Sequence, residues 1–317
     1  MRNDIRSPSS FTDKVEVADW MELQAIFNSD HNISGGDLQR ILSIENVFGG
    51  SPDASSQIEQ VCIEVFLELE YRKAVVGENY PFFISGTVLE CEPDYKENYA
   101  AYIFCLCMSY LGWVPEKGTI ANPRLRFERA SALASAAFLN CDYFVFGTSS
   151  TTVSTKGVGR FSANVNSMCK LIGEGIGIKP IPKLNKQDDH MDIVLVKKVD
   201  MHRQSNIVFF GQCATGADWE GKLSEVMPDA FWAYWVQNSA VSHLLRSFFV
   251  PHRIKDERWA YVSTRGGLMF DRLRIARWMP RHAEFSSFAP YLCDDIREML
   301  DKHVTTLNIP GTKNYIK

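Results

Sequence analysis

Two apolar segments frame the second half of the chain. Met191-Asp-Ile-Val-Leu-Val-Lys197 and Ile207-Val-Phe-Phe-Gly-Gln-Cys213 are rich in β-branched and aromatic residues, a pattern that predicts strands. The polar turn Asp200–Asn206 between them is too short for a crossover, so the two form an antiparallel hairpin. Elsewhere the apolar period is that of helices. Helical spacing marks Asp19–Phe27, a helix opened by Asp37 after the turn Ser34-Gly35-Gly36, and Ser56–Val76, where Ile58, Val61, Ile63, Val65, Phe66 and Leu69 recur. Ala100–Val114 is apolar for about 15 residues, short of the ~20 that a bilayer helix needs, and reads as a buried helix. Leu125–Leu139 is an Ala-rich helix with small residues for close packing. A Ser/Thr/Gly-rich loop at 147–159 leads to a helix over Phe161–Ile172 that stops at Gly173-Glu174-Gly175. Beyond the hairpin, the pattern predicts a helix from Asp218, helices around 229–247, strands at Ser247–Pro251 and near Tyr261, and a last helix over about 290–304.

These elements define an α/β protein, with a mainly helical domain over 1–118 and a second domain over 119–317; Gly112-Trp-Val-Pro-Glu-Lys-Gly118 punctuates the boundary. At 317 residues, 45% hydrophobic and 23% charged, the chain is long and apolar enough to bury a sizeable core, which excludes disordered and fibrous classes. The eight cysteines and seven histidines are scattered without zinc-site or redox spacing, so no structural metal is expected. The N-terminus lacks an apolar run of signal-peptide type, and reduced cysteines agree with a cytoplasmic protein that does not enter a membrane.

A net charge of −4 conceals an asymmetry. Residues 1–100 carry 7 Lys+Arg against 18 Asp+Glu, a net −11, while the remainder carries +7. Residues 246–282 alone hold nine basic and three acidic side chains, among them Arg253, Arg265, Arg272 and Arg274, interleaved with Phe248, Trp259, Tyr261 and Trp278. Such a segment suits phosphate contact plus base stacking in a nucleic-acid groove; equally, it is a solvated face that pairs with the acidic half.

The chemistry concentrates between Glu174 and Lys222. A helix ending in an acid, a strand entered through Asp189-His-Met-Asp192, an apolar strand ending in Gly211-Gln212-Cys213 and then a helix follow the order of a metal-dependent nuclease core. Mg²⁺ takes hard oxygen ligands, so an acid entering one strand and a carboxylate or carboxamide oxygen on its neighbour can share one ion at about 2.1 Å. A nearby lysine can then stabilise charge developing on the phosphate or orient the attacking water.

The run Asp189-x-x-Asp192-Ile-Val … Phe209-Phe-Gly-Gln212-Cys213-Ala-Thr-Gly216-x-x-Trp219-x-x-Lys222 resembles a restriction-endonuclease-like PD-(D/E)XK family of bacterial proteins often associated with phage defence. The resemblance covers roughly 123–275, and Gly-Gln-Cys-Ala-x-Gly-x-x-Trp is its most distinctive part. It implies a restriction-endonuclease-like core, a mixed sheet flanked by helices. It also implies Mg²⁺- or Mn²⁺-dependent hydrolysis of DNA, in the effector or a subunit of an anti-phage system. Asp192 matches the strand-borne metal-binding aspartate, with Asp189 as a near substitute, and Gln212 stands where the family has its second acid. The expected lysine is replaced by Ala214, which makes Lys222 on the following helix its substitute. Glu174 is the first choice for the helix acid that completes the site, and Glu128 the second. Each residue also has a plainer role open to it: Asp192 as a turn cap, Gln212 as a buried amide, Lys222 as an ion-pair partner of Asp218, Glu174 as a helix-end residue and Trp219 as core packing. The acidic domain is expected to bind a protein partner, since its charge disfavours DNA. Gln212 and Ala214 together leave open a degenerate nuclease fold that binds DNA or a partner without cutting.

Overall fold

The computed structural model describes residues 7–92, 99–112, 123–146, 158–180, 189–200, 202–281 and 283–306. Most of the predicted loop at 147–159 and of the boundary at 112–118 lies outside these residues. The chain divides into two compact units, Met1–Val114 with Phe288–Lys317, and Pro115–Ser287.

In the first unit, helices α1 (Lys14–Phe27), α2 (Gly35–Ile44), α3 (Ala54–Val76) and α4 (Ala100–Tyr110) accompany a three-stranded antiparallel sheet of β1 (Asn32–Ser34), β2 (Phe82–Ser85) and β3 (Val88–Cys91), in the order β1-β3-β2. The apolar run at 100–110 is the buried helix that its composition predicts, with Ile103, Phe104 and Leu106 fully enclosed. Helix α2 opens with a reciprocal cap in which Ser34 and Asp37 satisfy each other's backbone amides. The small sheet refines the expectation of a mainly helical region. Its strands are three or four residues long, too short to show a period of two. Arg72, wholly buried, is bonded to Asp19 (2.7 Å), Glu22 (2.9 Å) and Glu68 (2.8 Å), and the hydroxyls of Tyr80 and Tyr102 donate to Glu22. Three carboxylates around one guanidinium give that cation the partners that a buried charge requires, and burial of Tyr80 beside Glu22 pushes its phenol well above the usual range.

The second unit is a five-stranded mixed sheet with helices on both faces. Its elements are α5 (Pro123–Leu139), β4 (Asp142–Val145), α6 (Val158–Ile172), β5 (Ile193–Lys197), β6 (Ile207–Cys213), α7 (Pro228–Trp235), β7 (His243–Phe249), α8 (Asp256–Gly266), β8 (Leu268–Phe270) and α9 (Arg272–Trp278). Helix α10 (Ala283–Thr306) follows. Strand order is β4-β5-β6-β7-β8; β4, β5 and β6 run antiparallel in turn, and β6, β7 and β8 run parallel. The hairpin is present as expected, with Ile193 opposite Gly211 and Lys197 opposite Ile207. Val194, Val196, Val208 and Phe210 face α6 and α7 in one core cluster. On the opposite face, Gly211 is required by close approach. A Cβ there would lie 2.7 Å from the Phe249 ring and 2.8 Å from Ser247 Oγ.

Three elements differ from expectation. Tyr261 lies in α8, whose first turn carries Asp256 and Glu257 as the helix dipole prefers, and whose inner face buries Val262 and Gly266. The helix expected to reach residue 247 ends at Trp235, and His243–Phe249 is a strand, because parallel pairing with β6 buries Ser247, Phe248 and Phe249. The helix expected from Asp218 is a single 3-10 turn, Trp219–Lys222, pinned by Trp219 against Phe248 and His252.

Candidate functional site

Three parallel strands end at one edge of the sheet, and β5 begins there. Carboxyl edges of parallel strands leave backbone and side chains converging on open space, where α/β folds place their ligands. Asp192 stands one residue before the Ile193–Gly211 pair. Its amide donates to Gly211 O (2.8 Å), and its carboxylate Oδ2 accepts from the Cys213 amide (2.8 Å). The carboxylate therefore spans the last residues of β6.

Alternation along β6 puts Gln212 on the face of Val208 and Phe210. Gln212 is 5% exposed, and its Nε2 donates to Glu225 Oε2 (2.5 Å). Its Oε1 is buried without a hydrogen-bond partner among the described residues. An orphaned carboxamide oxygen is costly unless something outside the chain completes it. Glu225 also meets His190 Nδ1 at 3.3 Å. Asp189 and His190 precede β5 with φ of 50° and 68°. Two successive non-glycine residues in the left-handed region store strain of order 1 kcal/mol each, and they turn the chain so that Asp192 enters the sheet at its edge. Trp235 Nε1 donates to Asp189 Oδ2 (2.6 Å).

The Cys213 thiol is pushed well above its ordinary range by burial and then by the negative charges of Asp192 and Glu128. Glu128, the second choice for the helix acid, is buried on α5.

Glu174 is at the other end. Its carboxylate accepts from the amides of Ser205 (3.2 Å), Val241 (2.8 Å) and Ser242 (3.0 Å) and from the Ser242 hydroxyl. Burial raises its pKa, but these hydrogen bonds outweigh that and hold it below the usual glutamate range. Lys222 pairs with Asp218 (3.8 Å) on the 3-10 turn, and its side chain is 38% exposed. Ala214, where the resemblance expects lysine, is 2% exposed within the cluster of Trp219, Leu223 and Phe248. Trp219 is core.

The arginines separate by burial. Arg272 is fully enclosed and Arg253 is 7% exposed; both act on the buried Asp271, so neither can reach a surface polyanion. Arg274 is half-buried, bonded to Met269 O (2.9 Å) and stacked on Trp259. Arg265 is exposed, and with Arg258 it flanks the Tyr261 ring at 4.0 and 4.5 Å.

Asp192 and Gln212 are thus brought to one strand end, Glu174 lies at the other, and Lys222, on the turn that follows β6, engages Asp218. Glu225 and His190 escaped the sequence reading. His190 lies inside Asp189-His-Met-Asp192, but nothing local links Glu225 to Gln212 thirteen residues earlier. Among the described residues no group of three or more His, Cys, Asp or Glu side chains is arranged to hold a metal ion. The oxygens at the edge fit magnesium only as a sparse site of Asp192, Gln212 Oε1 and Glu225 with several retained waters, a mode this ion favours. Among the described residues, no helix is long and apolar enough to cross a membrane. No family model, curated protein or solved structure matches the chain.

Proposed function

We propose that the second unit is a metal-dependent endonuclease with a restriction-endonuclease-like core, hydrolysing DNA phosphodiester bonds as the effector or a subunit of a bacterial anti-phage system. One observation carries the reading: antiparallel pairing of β5 with β6, in a mixed sheet whose β7 runs parallel to β6, brings Asp192 and Gln212, with its orphaned Oε1, to one sheet edge. Asp192, Gln212 and Glu225 would hold the magnesium, which when bound polarises the phosphate and activates water. Glu225 orients Gln212 by accepting from its amide, which leaves the buried Oε1 as the open acceptor. His190, half exposed beside Glu225, offers an imidazole suited to passing a proton to or from the reacting oxygens. Arg265, exposed and stacked on Tyr261, presents charge to a polyanion, and Arg258, on the same ring, is shared with Glu220.

A second reading, a nuclease fold that binds DNA or a partner without cutting, is favoured by the buried Ala214 and by Lys222 being engaged with Asp218. Purified protein incubated with supercoiled plasmid in Mg²⁺, Mn²⁺ or EDTA separates the two. Metal-dependent nicking or linearisation, lost in Asp192→Asn, is the result expected. A mobility shift without cleavage in any metal would transfer the assignment to the second reading, and neither effect would end both.

A further inference from the structure

The first unit contains an open groove of about 440 Å³ between α2, α3 and the β2–β3 turn. Its floor is apolar: Ile63, Phe66 and Leu67 from α3 and Ile84 from β2. Ile63 is 49% exposed and Leu67 64%. Side chains of that size, four residues apart on one helix and opening into a cavity, leave apolar area that no described residue covers and that a partner can bury. Glycines at 35, 36 and 86 keep the walls low, and Gly35 is tied to the hairpin turn through its amide, which donates to Thr87 O (2.7 Å), so the groove is preformed.

Charge identifies what covers it. Glu59 and Glu70 line the groove at either end of the Ile63–Leu67 pair. They are eleven residues apart on α3, a span of about 16 Å or three helical turns. Among the described residues neither has an ion-pair partner. Residues 1–100 carry a net −11, so this rim lies in a negative field that repels acidic ligands and attracts basic ones.

We infer that the groove is a docking site for a basic amphipathic helix of a partner protein, which places apolar side chains at i and i+4 on Ile63, Phe66 and Leu67 and basic side chains about three turns apart on Glu59 and Glu70. A second copy docking through this same acidic region fits less well, since like charges meet. Helix-in-groove recognition of this kind draws affinity from the apolar anchors and direction from the charges at the ends. The site is independent of the sheet edge of the second unit, so its fate and that of the nuclease reading are separable.

The test is selection of a random 16-residue peptide library, displayed on phage, against the full chain. Recovered peptides are then synthesised and measured by fluorescence anisotropy. The expected consensus has apolar residues at i and i+4 flanked by Lys or Arg. Binding should weaken at least tenfold in Leu67→Glu and in Ile63→Glu, both surface changes that leave the core intact. The double variant Glu59→Lys, Glu70→Lys should lose the basic peptides and select acidic ones. Enrichment of nothing, of peptides without basic flanks, or of peptides indifferent to Leu67→Glu would overturn the inference. So would a concentration-dependent dimer in sedimentation that Leu67→Glu dissociates, which would give the groove to a second copy.

Discussion

The two ends of β6 hold acids in opposite conditions. At its start, Glu174 accepts three backbone amides and a hydroxyl, and every donor facing it is satisfied. At its end, about 20 Å away by strand rise, Asp192 holds one backbone amide and Gln212 keeps a buried oxygen with no partner. Both ends are built from polar side chains at strand termini. One is a closed hydrogen-bond set that clamps the loops before β6 and β7 to the end of α6; the other is incomplete. A saturated buried acid serves stability, whereas the proposed function needs the unsaturated polar set at the strand edge to take a ligand.

The sharpest way to break this contrast is to change the two acids in parallel. Asp192→Asn keeps an oxygen for the Cys213 amide, so its melting temperature should stay within about 3 °C of the parent, while metal-dependent cleavage falls by at least about 10³-fold, or roughly 4 kcal/mol of transition-state stabilisation. Cleavage kinetics on folded protein decide it; retained activity would make Asp192 a turn cap.

Glu174→Ala should do the reverse. Four donors lose their acceptor, a loss of about 3 kcal/mol in urea unfolding, with activity per folded molecule unchanged. The pH dependence has a definite sign. Because the folded carboxyl lies below the ordinary value of 4.5, its contribution is fully present above that value and is lost as pH falls through the depressed folded one. Glu174→Gln should flatten this acid limb of the stability curve, and an unaltered limb would remove Glu174 from the stabilising role.

Gln212→Glu sharpens the comparison from the other end. A second carboxylate beside Glu225 repels it, so the melting temperature in EDTA should drop by a few degrees and recover on adding Mg²⁺. A drop that magnesium does not reverse would show that the orphan oxygen faces no metal.

Smaller effects are expected at the surface. Arg258→Ala with Arg265→Ala should flatten the salt dependence of DNA binding by up to about two charges, whereas an unchanged slope would leave the Tyr261 stack outside the interface. Lys222→Met should be nearly silent, under about 0.5 kcal/mol in stability and less than twofold in rate, since its pair with Asp218 is exposed. A large rate loss would restore it to the site.

The helix over 100–110, the Ala-rich helix α5, the glycine stop after α6, with Gly173 at φ 78°, and the β5–β6 hairpin all follow from runs and periods within ten or twenty residues, and those the chain itself determined. It also determined that Asp192 and Gln212 would share an edge, because a short antiparallel turn leaves the start of one strand beside the end of the next. Tertiary structure decided the rest. Parallel pairing made a strand of 243–249 and burial of Val262 made a helix around Tyr261, since both segments are amphiphilic enough for either state until a neighbour selects one. The sorting of the arginines was equally illegible, because guanidinium groups close in sequence become interior, as Arg253 and Arg272 do, or exposed, as Arg265 is, according to the packing around each. Glu174 was drawn to loops 31 and 67 residues away, and Glu225 to Gln212, by contacts that no local pattern encodes. Local periodicity fixes where backbone hydrogen bonds go; which side chains meet depends on long-range packing, and the chemistry of the edge rests on those meetings.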